Sequence, residues 1–315
     1  MKKIDIVVPC YNEEGNIHHL VAELTKHIRN LDYHFVITFV DDGSTDNTYN
    51  EICELSRQVQ DIKIIRFSRN FGKESAIAAA IEFCDADAAI IIDADLQHPP
   101  ALIPLLIAEW EKGAEIVDAV KKEREKRNFF GNLMSISFNR IMTFLTDMDF
   151  SDASDYKLLD KKAIQAVKSL NEKNRFFRGF TNWIGYNHSK IEFRVENRRS
   201  GKTKWNWFQL IQLSLDAITS YSSKPLHIVT VLGLGTFAFS LFLGLQTLYN
   251  KLFGYAVTGF TTVILIVLMF SSVIMISIGL LGLYLSKIFK EVKNRPVFIV
   301  RQYKEPQTSL EETPE

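Results

Sequence analysis

The sequence predicts an α/β protein: a sheet with a parallel core, followed by an amphipathic helix and a hairpin of two long apolar helices. Three observations carry this prediction. Short aliphatic runs alternate with stretches of helical spacing through the N-terminal third of the chain. Each of those runs stops abruptly at carboxylates and turn residues. Between Pro225 and Ser286 the only Asp, Glu, Lys or Arg is Lys251.

The elements follow in order. "KIDIVVPC" is a strand that stops at Pro9, and "NIHHLVAELTKHI" spaces Ile17, Leu20, Leu24 and Ile28 along one helix face. "HFVITFVDDGSTDNT" is a second strand running into turn residues, with a helix starting near Thr45 to Thr48. "IKIIRFSRNFGKESAIAAAIEF" supplies a third strand, a glycine-containing loop and an Ala-rich helix. "AIIIDADLQHPP" is the fourth strand. Asp93 and Asp95 leave its end two residues apart, which turns both carboxylates to one side. Two like charges so placed call for a proton or a cation. In a sheet of this kind ligands bind beyond the carboxyl ends of the strands.

The remaining elements concern the membrane. Trp205, Trp207 and Phe208, then Ile211, Leu215 and Ile218, oppose Gln209, Gln212, Asp216 and Thr219. Residues 206–224 therefore read as a helix lying in a bilayer interface, with a domain-core helix as the alternative. Residues 225–250 and 259–286 are each long enough to span a bilayer, which takes about 20 apolar residues. Lys224 before the hairpin and Lys287, Lys290, Lys293, Arg295 and Arg301 after it outweigh Lys251 at its turn. Positive-inside counting puts the N-terminal domain, residues 1–205, and the tail, 287–315, in the cytoplasm. The tail after Arg301 reads as disordered.

Thirty-seven basic residues balance thirty-seven acidic ones, so no overall field points to nucleic acid as a partner. Cys10, Cys53 and Cys84 have neither zinc-site nor disulfide spacing and read as reduced cytosolic thiols. "MKKIDIVVPCYNEE" has too short an apolar run for a signal peptide.

Four polar clusters occupy successive strand ends: Pro9, Tyr11, Asn12 and Glu13; Asp41, Asp42, Gly43 and Ser44; Arg69, Asn70, Gly72 and Lys73; Asp93, Asp95 and Gln97. Any one of them reads as ordinary turn and capping chemistry. All four on one sheet edge read as a site. His98 reads either as a further ligand or as a capping or packing histidine. "KKEREKRNFFGNLMSISFNRIMTFL" is either a solvated helix face or an acceptor loop in which Arg124, Arg127 and Arg140 attract a phosphate, Arg140 interrupting an apolar segment.

"VVPCYNEEGNI", "VDDGSTDNT", "RNFGKESA" and "DADLQHPP" together resemble family 2 glycosyltransferases, whose fold is called GT-A. With its C-terminal hairpin, the chain resembles more narrowly the polyprenyl-phosphate glycosyltransferases, which include bactoprenol glucosyltransferases and dolichol-phosphate mannose synthases. The resemblance covers about residues 3 to 300.

It implies a nucleotide-diphosphate-sugar donor. A diphosphate next to Asp93 and Asp95 requires a divalent cation, and hard oxygen ligands suit Mg²⁺ or Mn²⁺. The resemblance assigns Asp93, Asp95 and Gln97 to that cation, and Asp42 to uracil or its ribose. It has Asp41, Pro9, Tyr11 and Glu13 line the nucleoside pocket and places Arg69 and Lys73 where the family reads base or phosphate. "SDASDYKLLDKKAI" is similar to the family's Asp-x-Gly-Asp-Phe-Arg-Leu, with Ser154, Tyr156 and Lys157 replacing Gly, Phe and Arg. Asp155 aligns with the family's proposed base and, with Asp95, is the catalytic candidate. A phosphate monoester is already mostly a dianion at cytosolic pH, so orienting the acceptor, a cation or a neighbouring Arg is the other role open to Asp155. Arg175, Arg178, Arg198 and Lys204 fall in segments that the family keeps near the acceptor phosphate.

The expectation is an inverting, metal-dependent hexosyltransferase. It would move one sugar, glucose or N-acetylglucosamine first, from a UDP-sugar to undecaprenyl phosphate at the inner face of the bacterial cytoplasmic membrane, for cell-wall or surface glycan modification. The hairpin would be its anchor, and the family implies a homo-oligomer, possibly a tetramer. The alternatives are a GDP-mannose enzyme like dolichol-phosphate mannose synthases, a processive synthase, disfavoured because no Gln-x-x-Arg-Trp occurs, and a non-catalytic nucleotide-binding membrane adaptor.

Overall fold

Strand β1 (Lys3–Cys10) is buried at seven of its eight positions, which is why it reads as a continuous apolar run and not an alternating one. It is the centre of a sheet in a computed structural model that describes residues 1–121, 154–170, 172–173, 175–193, 219, 222–253 and 259–306. β2 (His34–Asp41) and β4 (Ala88–Ile91) flank β1 in parallel, and β3 (Ile62–Phe67) lies parallel beyond β2. α1 (Ile17–Ile28), α2 (Thr48–Gln58) and α3 (Lys73–Glu82) make the crossovers. α1 buries Ile17, Leu20, Leu24 and Ile28, the face its spacing predicts.

A 3₁₀ turn (Pro100–Leu102) leads into α4 (Ile103–Glu111). β5 (Ile116–Lys121), β6 (Lys157–Asp160) and β7 (His188–Phe193) widen the sheet, with α5 (Lys161–Ser169) and α6 (Phe177–Trp183) between the last two. α5 is capped by the Asp160 carboxylate, which accepts the Lys162 amide at 2.9 Å. The strand order is β7-β5-β6-β4-β1-β2-β3-β8. β6 runs against both β4 and β5, and β8 against β3, so the sheet is mixed around its parallel core.

β8 (Val300–Lys304) corrects the expectation of a disordered tail after Arg301. It closes the outer edge of β3, with Tyr303 tilted on Phe83 and the Lys304 ammonium donating to Ser56 Oγ at 3.0 Å. Residues 295–306 therefore belong to the sheet unit. The expected helix at 206–224 lies almost wholly outside the described residues.

The second unit holds two helices, α7 (Lys224–Leu252) and α8 (Phe260–Val292), of 29 and 33 residues. At 1.5 Å per residue they are about 43 and 50 Å long, more than a hydrocarbon core of about 30 Å requires. They pack on each other, and the Tyr284 hydroxyl donates to the Ser222 carbonyl at 2.6 Å. Phe242 is 62% exposed and Ile276 70%, surfaces suited to lipid. α8 outruns the expected span because Lys287, Lys290 and Glu291 are good helix formers and propagate it past the apolar stretch.

Candidate active site

The loops after β1 and β2 are tied to each other. The Asn12 amide donates to Ser44 Oγ at 3.0 Å, the Thr45 amide to Asn12 Oδ1 at 2.9 Å, and the Glu13 amide to Thr48 Oγ1 at 2.8 Å. Asp41 is fully buried; one carboxylate oxygen accepts the Ser44 amide at 2.9 Å and the other meets Arg66 Nε at 3.1 Å. Gly43, at φ +69°, presses on the backbone of Arg69: a Cβ there would lie 2.5 Å from its carbonyl carbon. Only glycine lets the second and third loops approach so closely.

That approach brings Asp42 to the loop after β3. Its carboxylate accepts the Phe71 amide at 2.6 Å and the Gly72 amide at 2.8 Å. Burial raises the Asp42 pKa even so, the two amides only partly offsetting it. Gly72, at φ +96°, precedes α3, so Lys73 opens that helix. The Lys73 ammonium meets Asp93 at 2.5 Å and Asp155 at 2.8 Å. Burial alone would lower its pKa, but the two carboxylates outweigh burial and raise it.

The loop after β4 is held from behind. His98 is buried and stacks on Tyr156 with ring centres 5.0 Å apart, its Nδ1 3.4 Å from the Asp93 amide. The Tyr156 hydroxyl donates to the Pro99 carbonyl at 2.9 Å. His98 is thus packed behind the loop. Asp95 is exposed and accepts the Gln97 amide at 3.1 Å.

Asp155 sits at the entry to β6. Arg178 grips it with two parallel bonds, Nε to Oδ1 at 2.7 Å and Nη2 to Oδ2 at 2.8 Å, beside the Lys73 contact. Burial alone would raise its pKa, yet Arg178 and Lys73 hold it well below the usual carboxylate range. Glu74, whose carboxylate accepts the Phe177 amide at 2.7 Å, goes the other way: burial pushes it up to about 7.

Pro9, Tyr11, Glu13, Asp42, Asn70, Gly72, Lys73, Asp93 and Asp95 line one open cleft of about 300 Å³ at the carboxyl ends of the core strands. Burial, with the charges of Asp95 and Asp93 adding to it, raises the Glu13 pKa. The cleft floor thus carries more negative charge than Lys73 alone balances. No group of three His, Cys, Asp or Glu that could hold a metal occurs among the described residues. Two hard carboxylates beside open space nonetheless suit a cation that takes its other ligands from substrate phosphates and water.

A family model, glycosyl transferase family 2, matches residues 5–167. The chain is 37% identical over 302 residues to an uncharacterized glycosyltransferase, YkcC, of Bacillus subtilis, across 94% of this chain and 93% of that one. The chain belongs to glycosyl transferase family 2. It is also 32% identical to a bactoprenol glucosyl transferase of Shigella phage SfII, across 95% of this chain and 98% of that one. Among solved structures it is similar to glucosyl-3-phosphoglycerate synthase from Mycobacterium tuberculosis, in complex with Mn²⁺, UDP-glucose and phosphoglyceric acid. The TM-score is 0.47 at 18% identity, across 69% of this chain and 78% of that one.

The four clusters each send residues to the cleft, but their members divide. Asp41, Arg69 and Gln97 are not in the cleft lining. Asp41 is committed to Arg66 and Ser44, and the Arg69 guanidinium lies over the Phe71 ring at 4.2 Å. Arg175 lies over Phe180 and lines a separate small pocket with Glu74. Arg124, Arg127, Arg140, Arg198 and Lys204 lie outside the described residues. Lys157 is buried, and Thr181, which accepts from its ammonium, donates in turn to the Arg178 carbonyl at 3.1 Å. Lys157 donates to Thr181 Oγ1 at 2.8 Å and pairs with Asp118 at 2.9 Å, and His188 Nδ1 holds Asp118's other oxygen at 2.8 Å. Nothing in the sequence singles out Asp118, since one acid in a short strand carries no spacing signal. Cys10 borders the cleft, and burial, with the neighbouring carboxylates of Asp41, Glu13 and Asp42 adding to it, pushes its thiol pKa well up, which disfavours the thiolate.

Proposed function

We propose that the protein transfers one sugar, glucose or N-acetylglucosamine, from a UDP-sugar to undecaprenyl phosphate at the cytoplasmic face of a bacterial membrane. The observation that carries this reading is the convergence of Asp42, Lys73, Asp93 and Asp95 on one cleft in a chain whose likeness to a bactoprenol glucosyl transferase runs nearly end to end. Two helices long and apolar enough to cross a bilayer support a lipid acceptor.

Asp42, Pro9 and Tyr11 receive the nucleoside. Asp93 and Asp95 would hold a Mg²⁺ or Mn²⁺ ion, which when bound would supply Lewis-acid stabilisation of the diphosphate's negative charge. Lys73 is placed to leave Asp93 and turn to the same diphosphate. An acceptor phosphate oxygen attacks the anomeric carbon in line; the bond from that carbon to the β-phosphate oxygen breaks, and its electron pair leaves with UDP. The configuration inverts. A phosphate monoester has its second pKa near 6, so the attacking oxygen is already deprotonated at about pH 7. Asp155, held far below the usual range and locked by Arg178, orients these cations and removes no proton.

The test is transfer of label from UDP- and GDP-sugars to undecaprenyl phosphate by purified full-length protein with Mn²⁺ or Mg²⁺. Label enters the lipid with one UDP-sugar and is lost in Asp93→Ala and with EDTA. A GDP-sugar preference would overturn the donor assignment, and full turnover in EDTA the metal assignment.

A further inference from the structure

The segment that follows α8 does more than close a sheet edge. Phe298 stacks on Phe67 with ring centres 5.2 Å apart and planes 8° from parallel. Phe67 is the last residue of β3 and is buried. Phe71 also meets Phe67, edge-on at 5.7 Å, and the Arg69 guanidinium covers Phe71. The Ser68 amide donates to the Ile299 carbonyl at 3.0 Å, so pairing continues past the end of β3 into the loop. A register shift between Arg66 and Phe67 accompanies this pairing, a device that re-aims side chains at a strand end.

The loop so braced presents the Phe71 and Gly72 amides to Asp42 and sets the first residue of α3, Lys73. We propose that Phe298 is a positioning residue for the donor site: its stack on Phe67 fixes Phe71, and through it the Asp42 carboxylate and Lys73. This rests on the reading of the cleft as the nucleotide-sugar site. Phe298 is not among the residues that line the cleft. Removing its ring frees the loop from Arg69 to Lys73 and lets Asp42 lose its two amide donors. Tyr303, four residues beyond Ile299 on the same tail, pairs with Ile65 within β3 and packs on Phe83, which makes it the packing control.

The experiment uses the full-length protein in detergent. UDP affinity in Mn²⁺ is measured by calorimetry, and amide hydrogen exchange is followed over residues 68–75, for wild type, Phe298→Ala, Phe298→Tyr and Tyr303→Ala. Phe298→Ala should weaken UDP by roughly three- to tenfold, the equivalent of one aromatic pair, and raise donor KM more than it lowers kcat. Exchange of the Phe71 and Gly72 amides should speed up, Phe298→Tyr should restore both readouts, and Tyr303→Ala should match wild type. Unchanged exchange in Phe298→Ala, provided Phe298→Tyr is folded, overturns the coupling. Faster exchange with unchanged UDP affinity overturns the positioning role. Equal losses in Phe298→Ala and Tyr303→Ala reduce the effect to general packing and overturn it too. If wild type itself fails to bind UDP, the site reading falls, and the exchange comparison alone decides whether Phe298 holds the loop.

Discussion

Asp155 shows how little a residue's type says of its task without its partners. Gripped by Arg178 and touched by Lys73, it stays ionised across the working range. Its folded pKa is depressed, so whatever it contributes to stability is present above the ordinary carboxylate range and lost only as pH falls through the lowered value. Asp155→Asn should therefore slow transfer by a similar factor at every pH from about 6 to 9, roughly 10²-fold for a misplaced contact at the reacting centre. A pH–rate profile checks this; an acidic limb in wild type that vanishes in Asp155→Asn would restore the base role. Asp93 and Asp95 were legible in the sequence because two carboxylates at a strand end violate the surrounding apolar pattern. Asp41 and Asp42 were both placed at the nucleoside there, Asp42 on the uracil or its ribose and Asp41 in the pocket lining. They are adjacent and chemically identical, and only the fold turns one to Arg66 and the other to the cleft loop.

The loops are specified mainly by which backbone contacts they permit. Gly15 and Gly43 both have φ in the left-handed region, at +82° and +69°, but a Cβ on Gly15 meets nothing within 4 Å whereas one on Gly43 strikes the Arg69 backbone. Both alanine variants should lose about 1–2 kcal/mol to strain, and Gly43→Ala a further 1–3 kcal/mol or so to overpacking. Thermal denaturation with and without UDP measures the difference; equal shifts in Tm would remove the close approach of the two loops from the explanation. The first four strands and their helices were readable because burial on both faces leaves continuous aliphatic runs. β6 and β7, "KLLD" and "HSKIEF", are short and partly polar, and β6 hides a buried lysine whose charge is met by Asp118. β8 was missed because an exposed edge strand of mixed polarity looks like tail.

At the scale of the molecule, the two apolar helices and the cationic residues flanking them decide orientation. A membrane-impermeant maleimide should label Asn250→Cys in intact cells, and Lys290→Cys only after permeabilisation; the opposite pattern would reverse the topology. The hairpin was legible from charge depletion alone, whereas its ends were not, since helix formers carry α8 on to Val292. β8 also bears on how the chain is made. Roughly 10 to 50 s of ribosomal elongation separate the synthesis of Phe67 from that of Lys304. Both apolar helices are synthesised in that interval. Until it ends, β3 offers a bare hydrogen-bonding edge to any other nascent chain, and the sheet is completed only after both long apolar helices have been made.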